Sequence, residues 1–120
     1  VYIMSRFTSK FNKRRKFNVD TTNFTYESLM DLFNSYGKEK VYPLTAIYIN
    51  TRSQFGAAPV FATDNCFVNV PSHMLGTARD ILADEEAVAD INNGKVGFEI
   101  YSYWSEKFHR ICFGINFVDM

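Results

Sequence analysis

Two cysteines and two histidines are the residues best suited to metal binding or nucleophilic catalysis, and their spacing fits neither. Six residues separate Cys66 from His73, while His109 and Cys112 lie three apart on a predicted strand and so point to opposite faces. Neither cysteine begins a predicted helix or stands in a nucleophile elbow, so a catalytic set of Cys66, a histidine and Asp64 has no support. We expect no metal, no cofactor and no catalytic residue.

The first sixteen residues mix cations with aromatic rings, a combination that nucleic-acid binding requires. This segment holds six basic residues and no acidic one, with Phe7 and Phe11 one helical turn apart. Lysine and arginine neutralise phosphates, while phenylalanine stacks on bases or anchors in a pocket. The same composition also describes a solvated tail. The basic residues are Arg6, Lys10, Lys13, Arg14, Arg15 and Lys16.

A second group of rings and cations lies near the tip of a predicted C-terminal hairpin. Most aromatic side chains in so small a protein must fill its core. Tyr101, Tyr103 and Trp104 are the exceptions, because they lie on or beside the polar face close to the turn. Lys107 and Arg110 follow within a few residues. We interpret these five residues as a contact surface for nucleic acid or for a partner protein.

Five carboxylates cluster between residues 80 and 90, where no basic residue is present. They could hold a divalent cation or present a negative patch to a basic groove on a partner. They also fit a solvated helix face with acids favourably placed near a helix start. No EF-hand spacing occurs. The residues are Asp80, Asp84, Glu85, Glu86 and Asp90.

Alternation of apolar and polar residues predicts the strands that carry these groups. Residues 96–118 form two alternating runs joined by a polar turn, which is typical of a β-hairpin. Residues 41–50 are β-branched and aromatic and predict a strand buried on both faces. Residues 60–63 and 66–70 predict a second, shorter hairpin across Asp64 and Asn65.

Spacing of three and four residues predicts the helices. Thr25 is placed to cap a first helix that ends at Gly37. Ser72 is placed to cap a second helix, and Asp84 caps a further turn or two that ends near Gly94.

The predicted order is helix, three strands, helix and two strands, which is typical of the α+β class. Without the first helix, this order is also that of an OB-fold. We therefore expect an antiparallel five-stranded sheet or an OB-like small barrel with two or three helices. The domain should span residues 25–120 and follow a basic, flexible arm over residues 1–24.

Composition limits the classes of function. At 120 residues and 47% hydrophobic content the chain suits one folded domain, and thirteen basic residues balance thirteen acidic ones. This neutrality argues against a domain dedicated to nucleic acid, which is usually basic. No stretch has the character of a signal peptide or a membrane span, so we expect a soluble cytoplasmic protein with no membrane partner.

The segments AIYINTRSQFGAAPVFATDNCFVNVPSHM (residues 46–74) and NNGKVGFEIYSY (residues 92–103) resemble short, uncharacterised proteins encoded by phages, plasmids and conjugative elements of Gram-positive bacteria. The resemblance covers roughly the last two-thirds of the chain and implies a genomic context. Proteins of this size on such elements often handle single-stranded DNA or block host defences, including as anti-CRISPR inhibitors. The mixture of Arg, Lys and Phe in the arm is similar to the basic N-termini of some anti-CRISPR proteins.

Two functions agree with these observations. In the first, the protein is a non-enzymatic binder of single-stranded DNA or RNA, with the arm on phosphates and the hairpin tip on bases. In the second, it inhibits a host nucleic-acid-processing complex such as a CRISPR nuclease by protein–protein binding. An exposed strand edge or aromatic patch could also serve a homodimer.

Overall fold

The computed structural model describes residues 17–51 and 56–120. This part of the chain begins with a strand and a helix, continues with four strands, a short 3-10 turn at Ser72–Met74 and two helices, and ends with two strands. The strands are β1 (Thr25–Ser28), β2 (Val41–Pro43), β3 (Ala46–Asn50), β4 (Ala58–Ala62), β5 (Cys66–Asn69), β6 (Val96–Ser105) and β7 (Arg110–Asp119). The helices are α1 (Leu29–Tyr36), α2 (Leu75–Leu82) and α3 (Glu85–Asn92).

The described strands form two sheets. The first has the order β1-β5-β4-β3, and the second has the order β2-β6-β7. β1 runs parallel to β5, and the other described pairs are antiparallel. The predicted α+β class is therefore confirmed. The prediction of a single five-stranded sheet or a closed OB-like barrel is wrong.

The reason lies in the segment predicted as one strand over residues 41–50, which passes from one sheet to the other. Its first part, β2, pairs with β6, and its second part, β3, pairs with β4. The change occurs between adjacent residues: the Leu44 N–H donates to Val96 O at 3.0 Å, and the Thr45 N–H donates to Ala62 O at 2.9 Å. Within the described residues, β1 occupies the outer edge of β5, so β7 does not pair with β5. The strands therefore do not close into a barrel.

The first helix begins later than predicted. Residues 25–28 are a strand, and Ser28 is the cap, because its Oγ accepts the Asp31 N–H at 3.0 Å. The predicted end is confirmed: Gly37 has a φ of 81°, and its N–H donates to Phe33 O at 2.8 Å. Leu29 and Leu32 provide the buried side of this helix.

The second predicted helix begins with the 3-10 turn, and the predicted cap at Ser72 is wrong, because the cap position is Pro71 and no side chain makes a cap bond there. α2 then runs to Leu82. Asp84 caps α3 as predicted, since its Oδ1 accepts the N–H groups of Glu86 at 3.0 Å and Ala87 at 3.2 Å. Ala78 and Ile91 are buried, so the two helices share one apolar side.

The core lies between the two sheets. The Phe61 ring on β4 has its centroid 5.8 Å from the Phe98 ring and 5.9 Å from the Phe117 ring. Phe61 and Phe98 are fully buried. Phe17 also belongs to this buried set, so the packed part of the chain begins before residue 25. Among the helices of the described ranges, none combines the length and the apolar character needed to cross a membrane.

Candidate nucleic-acid interface at the hairpin tip

The β6–β7 hairpin carries the predicted tip residues on a two-stranded ribbon. β2 pairs with β6 only as far as Glu99, whereas the hairpin continues to the pair of Ser105 and Arg110. Beyond Glu99 the ribbon therefore has an unpaired edge on each side within the described sheets. Side chains there become exposed, which places the tip away from the core.

Alternation along the ribbon separates the predicted cluster into two groups. Tyr101 and Tyr103 lie on one face, 39% and 40% exposed, with ring centroids 5.9 Å apart. Trp104 lies on the opposite face, 54% exposed, opposite Ile111 on β7. We call the face that carries Tyr101 and Tyr103 the tyrosine face. We call the opposite face the core face, because it also carries the buried Ile100. The structure therefore does not bring Trp104 together with the two tyrosines.

A glycine positions the ring of Tyr101. Gly114 is the cross-strand partner of Tyr101, and a Cβ at this position would lie 2.6 Å from ring atoms of Tyr101. The ring therefore lies directly over the glycine backbone. This contact holds Tyr101 beside Tyr103 and leaves part of both rings open to a planar ligand.

The turn contributes a third ring and the cations. The Phe108 ring has Lys107 Nζ 5.3 Å and Arg110 Cζ 5.4 Å from its centroid. Ser105 Oγ accepts the Phe108 N–H at 3.2 Å, and His109 has a positive φ of 51°. Phe108 was not predicted as a site residue, although its place between two basic residues was visible in the sequence.

A groove runs along the outer side of β7 at this end of the molecule. Its volume is about 570 Å³, within the usual range for small-molecule sites. α1 and the chain after β5 form the opposite wall. We call it the tip groove; its apolar lining includes Leu29, Met30, Val70, Tyr103, Ile111 and Phe113, and Arg110 and His73 border it.

A second set of rings lies on the outer side of the four-stranded sheet. The Phe67 ring centroid is 5.0 Å from that of Tyr26 and 6.1 Å from that of Tyr48, and Phe17 packs on Tyr48 at 6.1 Å. Tyr26 is 66% exposed. Sequence reasoning missed this cluster because it assigned Tyr26 to a helix. Burial raises the pKa of the Tyr48 hydroxyl above its ordinary value.

The cysteines and histidines do not form a site in the described ranges. Cys66 is buried, and its Sγ lies 3.3 Å from Thr63 Oγ1. Burial raises the pKa of the Cys66 thiol, which disfavours the reactive thiolate. His73 and His109 are exposed. No group of three or more His, Cys, Asp or Glu residues among those described could hold a metal ion.

The predicted arm residues Arg6, Lys10, Lys13, Arg14, Arg15 and Lys16 lie outside the described residues. The described site therefore consists of the tyrosine face, the Phe108 turn and the tip groove. No protein-family model, curated protein or solved structure matches the chain. Function must be argued from these side chains.

Proposed function

We propose that this is a mobile-element protein that acts in the cytoplasm and binds single-stranded nucleic acid without catalysing a reaction. The observation that carries the proposal is the tip of the β6–β7 hairpin, where exposed rings and cations alternate. Tyr101, Tyr103 and Phe108 offer faces for unstacked bases. Lys107 and Arg110 lie beside the Phe108 ring. They are close enough to neutralise the phosphate of a nucleotide whose base stacks on that ring.

Charge distribution limits where the phosphates can bind. Residues 17–120 contain all thirteen acidic residues and only seven of the thirteen basic ones. The remaining six basic residues are those of the arm. A polyanion would therefore be attracted to the arm and the hairpin tip and repelled by most of the folded part. This division supports an anionic ligand that is attracted to these cations.

The test is a fluorescence titration of the full chain with single-stranded and duplex oligonucleotides at low and moderate salt. Trp104 is the only tryptophan and lies at the tip, so it reports binding there. We expect single strands to bind more tightly than duplexes, with affinity falling as salt rises. Tyr103→Ala should weaken binding by about 5- to 100-fold, the usual effect of losing one stacking ring.

Tyr36→Ala provides the matched control, because Tyr36 is an exposed tyrosine on α1 that does not line the tip groove. It should bind as the native chain does. A chain lacking residues 1–16 should show a smaller salt dependence, because it has lost six cations. Absence of binding at low salt would overturn the proposal, as would equal weakening by the two tyrosine variants.

A second function is favoured by the acidic surface. Asp84, Glu85, Glu86 and Asp90 on and before α3 are all exposed, and so is Asp80 on α2. Such a surface can occupy a basic groove on a host nucleic-acid-processing complex such as a CRISPR nuclease. The discriminating assay measures cleavage by an RNA-guided nuclease with and without the protein. Inhibition that is lost on replacing Glu85, Glu86 and Asp90 by lysine, with no oligonucleotide binding, would favour this function over the first.

A further inference from the structure

Three aromatic rings share the outer side of the four-stranded sheet. Tyr26 on β1 is the cross-strand partner of Phe67 on β5. Tyr48 on β3 lies on the same side, because its partner Val60 is two residues from the partner of Phe67 on β4. The Phe67 ring centroid is 5.0 Å from that of Tyr26 and 6.1 Å from that of Tyr48. We call these three rings the sheet platform.

The sheet platform borders a cavity of about 390 Å³. Tyr26 is 66% exposed, more than Trp104 at the hairpin tip, which is 54% exposed. The Tyr26 ring is inclined by 34° to the Phe67 ring. Thr21 and Asn50 add a hydroxyl and an amide to the lining of the cavity. Ring faces with hydrogen-bonding groups beside them are the features that proteins use to bind unstacked nucleobases.

The fold holds two rings of the sheet platform in place. The Phe24 ring packs against Phe67 with centroids 5.3 Å apart, and the Phe17 ring packs against Tyr48 at 6.1 Å. Phe17 is itself buried in the core. A base that stacks here therefore meets a surface that is already formed, so little ordering cost opposes binding.

The cations for this site come from the chain immediately before Phe17. No charged residue is among the described residues that line the cavity. Arg14, Arg15 and Lys16 precede Phe17 in the sequence. Their positions lie outside the described residues, but one residue spans at most about 3.6 Å, so the Arg14 Cα lies within about 11 Å of the Phe17 Cα. Because Phe17 packs on Tyr48, covalent geometry alone keeps three cations near the sheet platform.

The acidic residues closest in sequence do not line this cavity. Asp20 accepts hydrogen bonds from the N–H and the hydroxyl of Thr22, and the N–H bond is 3.0 Å long. Glu27 follows Tyr26 on β1 and borders a different cavity. Residues 14–26 contain three basic residues and one acidic residue. The charge beside the sheet platform therefore favours an anionic ligand.

We propose that the sheet platform is a second contact site for single-stranded nucleic acid, at which a base stacks on Tyr26 and Phe67. The phosphates next to this base are neutralised by Arg14, Arg15 and Lys16. This inference rests on the ligand of the proposed function, but not on the hairpin tip, because the cavity and the tip groove share no described lining residue. Duplexes are excluded, since their bases are not free to stack on a protein ring.

The first test measures the fluorescence anisotropy of a fluorescein-labelled oligothymidylate as the full chain is added at low salt. Tyr26→Ala should weaken binding by about 5- to 100-fold, the usual effect of losing one stacking ring. Tyr26→Phe keeps the ring and should bind as the native chain does. Tyr36→Ala is the matched control, because Tyr36 is an exposed tyrosine that lines neither the cavity nor the tip groove.

Unchanged affinity in a folded Tyr26→Ala variant would overturn the proposal. Sedimentation of the same variant would then show whether the sheet platform instead covers a second copy of the chain, which would appear as a dimer in the native protein and a monomer in the variant. Circular dichroism shows that each variant is folded.

The second test compares two triple variants that remove equal charge. The first replaces Arg14, Arg15 and Lys16 by alanine, and the second replaces Arg6, Lys10 and Lys13 by alanine. The first should reduce the slope of log affinity against log salt by about 2, since each phosphate contact of a single strand contributes about 0.7. The second should reduce the slope less. Equal reductions would contradict phosphate binding next to the sheet platform.

Cross-linking locates the base without relying on a variant that has to fold. An oligothymidylate in which iodouracil replaces some of the thymines is irradiated with the native chain, and the linked peptides are mapped. We expect linkage at Tyr26 or Phe67 as well as at Tyr103. Linkage at Tyr103 alone would overturn this inference and leave the hairpin tip as the binding site. Linkage at Tyr26 or Phe67 alone would support it and contradict the tip, whereas no binding at low salt would overturn both.

Discussion

At the scale of single residues, two glycines in the same hairpin have different roles. The three atoms nearest to a Cβ at Gly114 would all belong to the far end of the Tyr101 side chain, which is partly exposed. A Cβ at Gly97 would lie 2.8 Å from Tyr42 O and 2.6 Å from Met120 Sδ. The first glycine positions a ligand-facing ring, whereas the second allows β2 to approach β6.

This difference predicts the effect of alanine at each position. Gly97→Ala should lower the free energy of unfolding by about 2 kcal/mol or more, because backbone of the paired strand has to move. Gly114→Ala should cost about 1 kcal/mol or less but should move Tyr101 and weaken oligonucleotide binding. Urea unfolding followed by circular dichroism measures both costs. Equal losses of stability would contradict this assignment of roles.

At the residue level, the predicted exposure of Tyr101, Tyr103 and Trp104 is confirmed, but their arrangement was not predicted. The types and order of Tyr101, Tyr103 and Trp104 indicated an exposed aromatic group, because the flanking residues are polar. They lie on two faces because β6 stays a regular strand as far as Ser105. An exposed stretch of sequence does not show that the strand continues so far. Tyr26 was missed because its partner, Phe67, lies on β5, a strand far along the chain.

At the scale of elements, locally encoded features were predictable and long-range ones were not. Both hairpins and the α3 cap follow from residues close together in sequence. The β1 strand exists because Thr25–Ser28 pairs with β5, far along the chain, so this four-residue segment alone was not enough to predict it. The division of residues 41–50 between two sheets is likewise set by their partners.

The α3 cap gives the prediction at this scale. Asp84→Ala removes the acceptor for two N–H groups at the start of a helix of eight residues. The free energy of unfolding should fall by about 1 kcal/mol, the usual cost of losing such a cap. Asp80→Ala is the control, since it removes an exposed carboxylate on α2 without a cap. Thermal unfolding of the two variants should differ, and equal midpoints would argue against the cap.

At the scale of the whole molecule, the two sheets share one core. Phe61 on β4 contacts Phe98 and Phe117 on the other sheet, so neither sheet has a complete core alone. Charges are also separated along the sequence, since all thirteen acidic residues fall within residues 17–120 and six of the thirteen basic ones within residues 1–16.

The shared core predicts cooperative unfolding. Phe61→Leu should lower the free energy of unfolding by roughly 1–3 kcal/mol through lost contacts and a cavity. Phe108→Leu, at an exposed position in the turn, should cost less than about 0.5 kcal/mol. Far-ultraviolet circular dichroism and tyrosine fluorescence should give one coincident transition for each protein. Two separate transitions would mean that the sheets are stable independently.

The pairing of β1 with β5 also determines how the native structure opens. β1 is a short edge strand that joins distant parts of the chain, and such strands detach at a lower free-energy cost than global unfolding. Its first residue, Thr25, is paired with Cys66, whose thiol is buried in the closed state. Detachment of β1 would give a thiol reagent access to this sulfur while the rest of the core stays intact. The rate of labelling at Cys66 therefore measures how often this strand leaves the sheet.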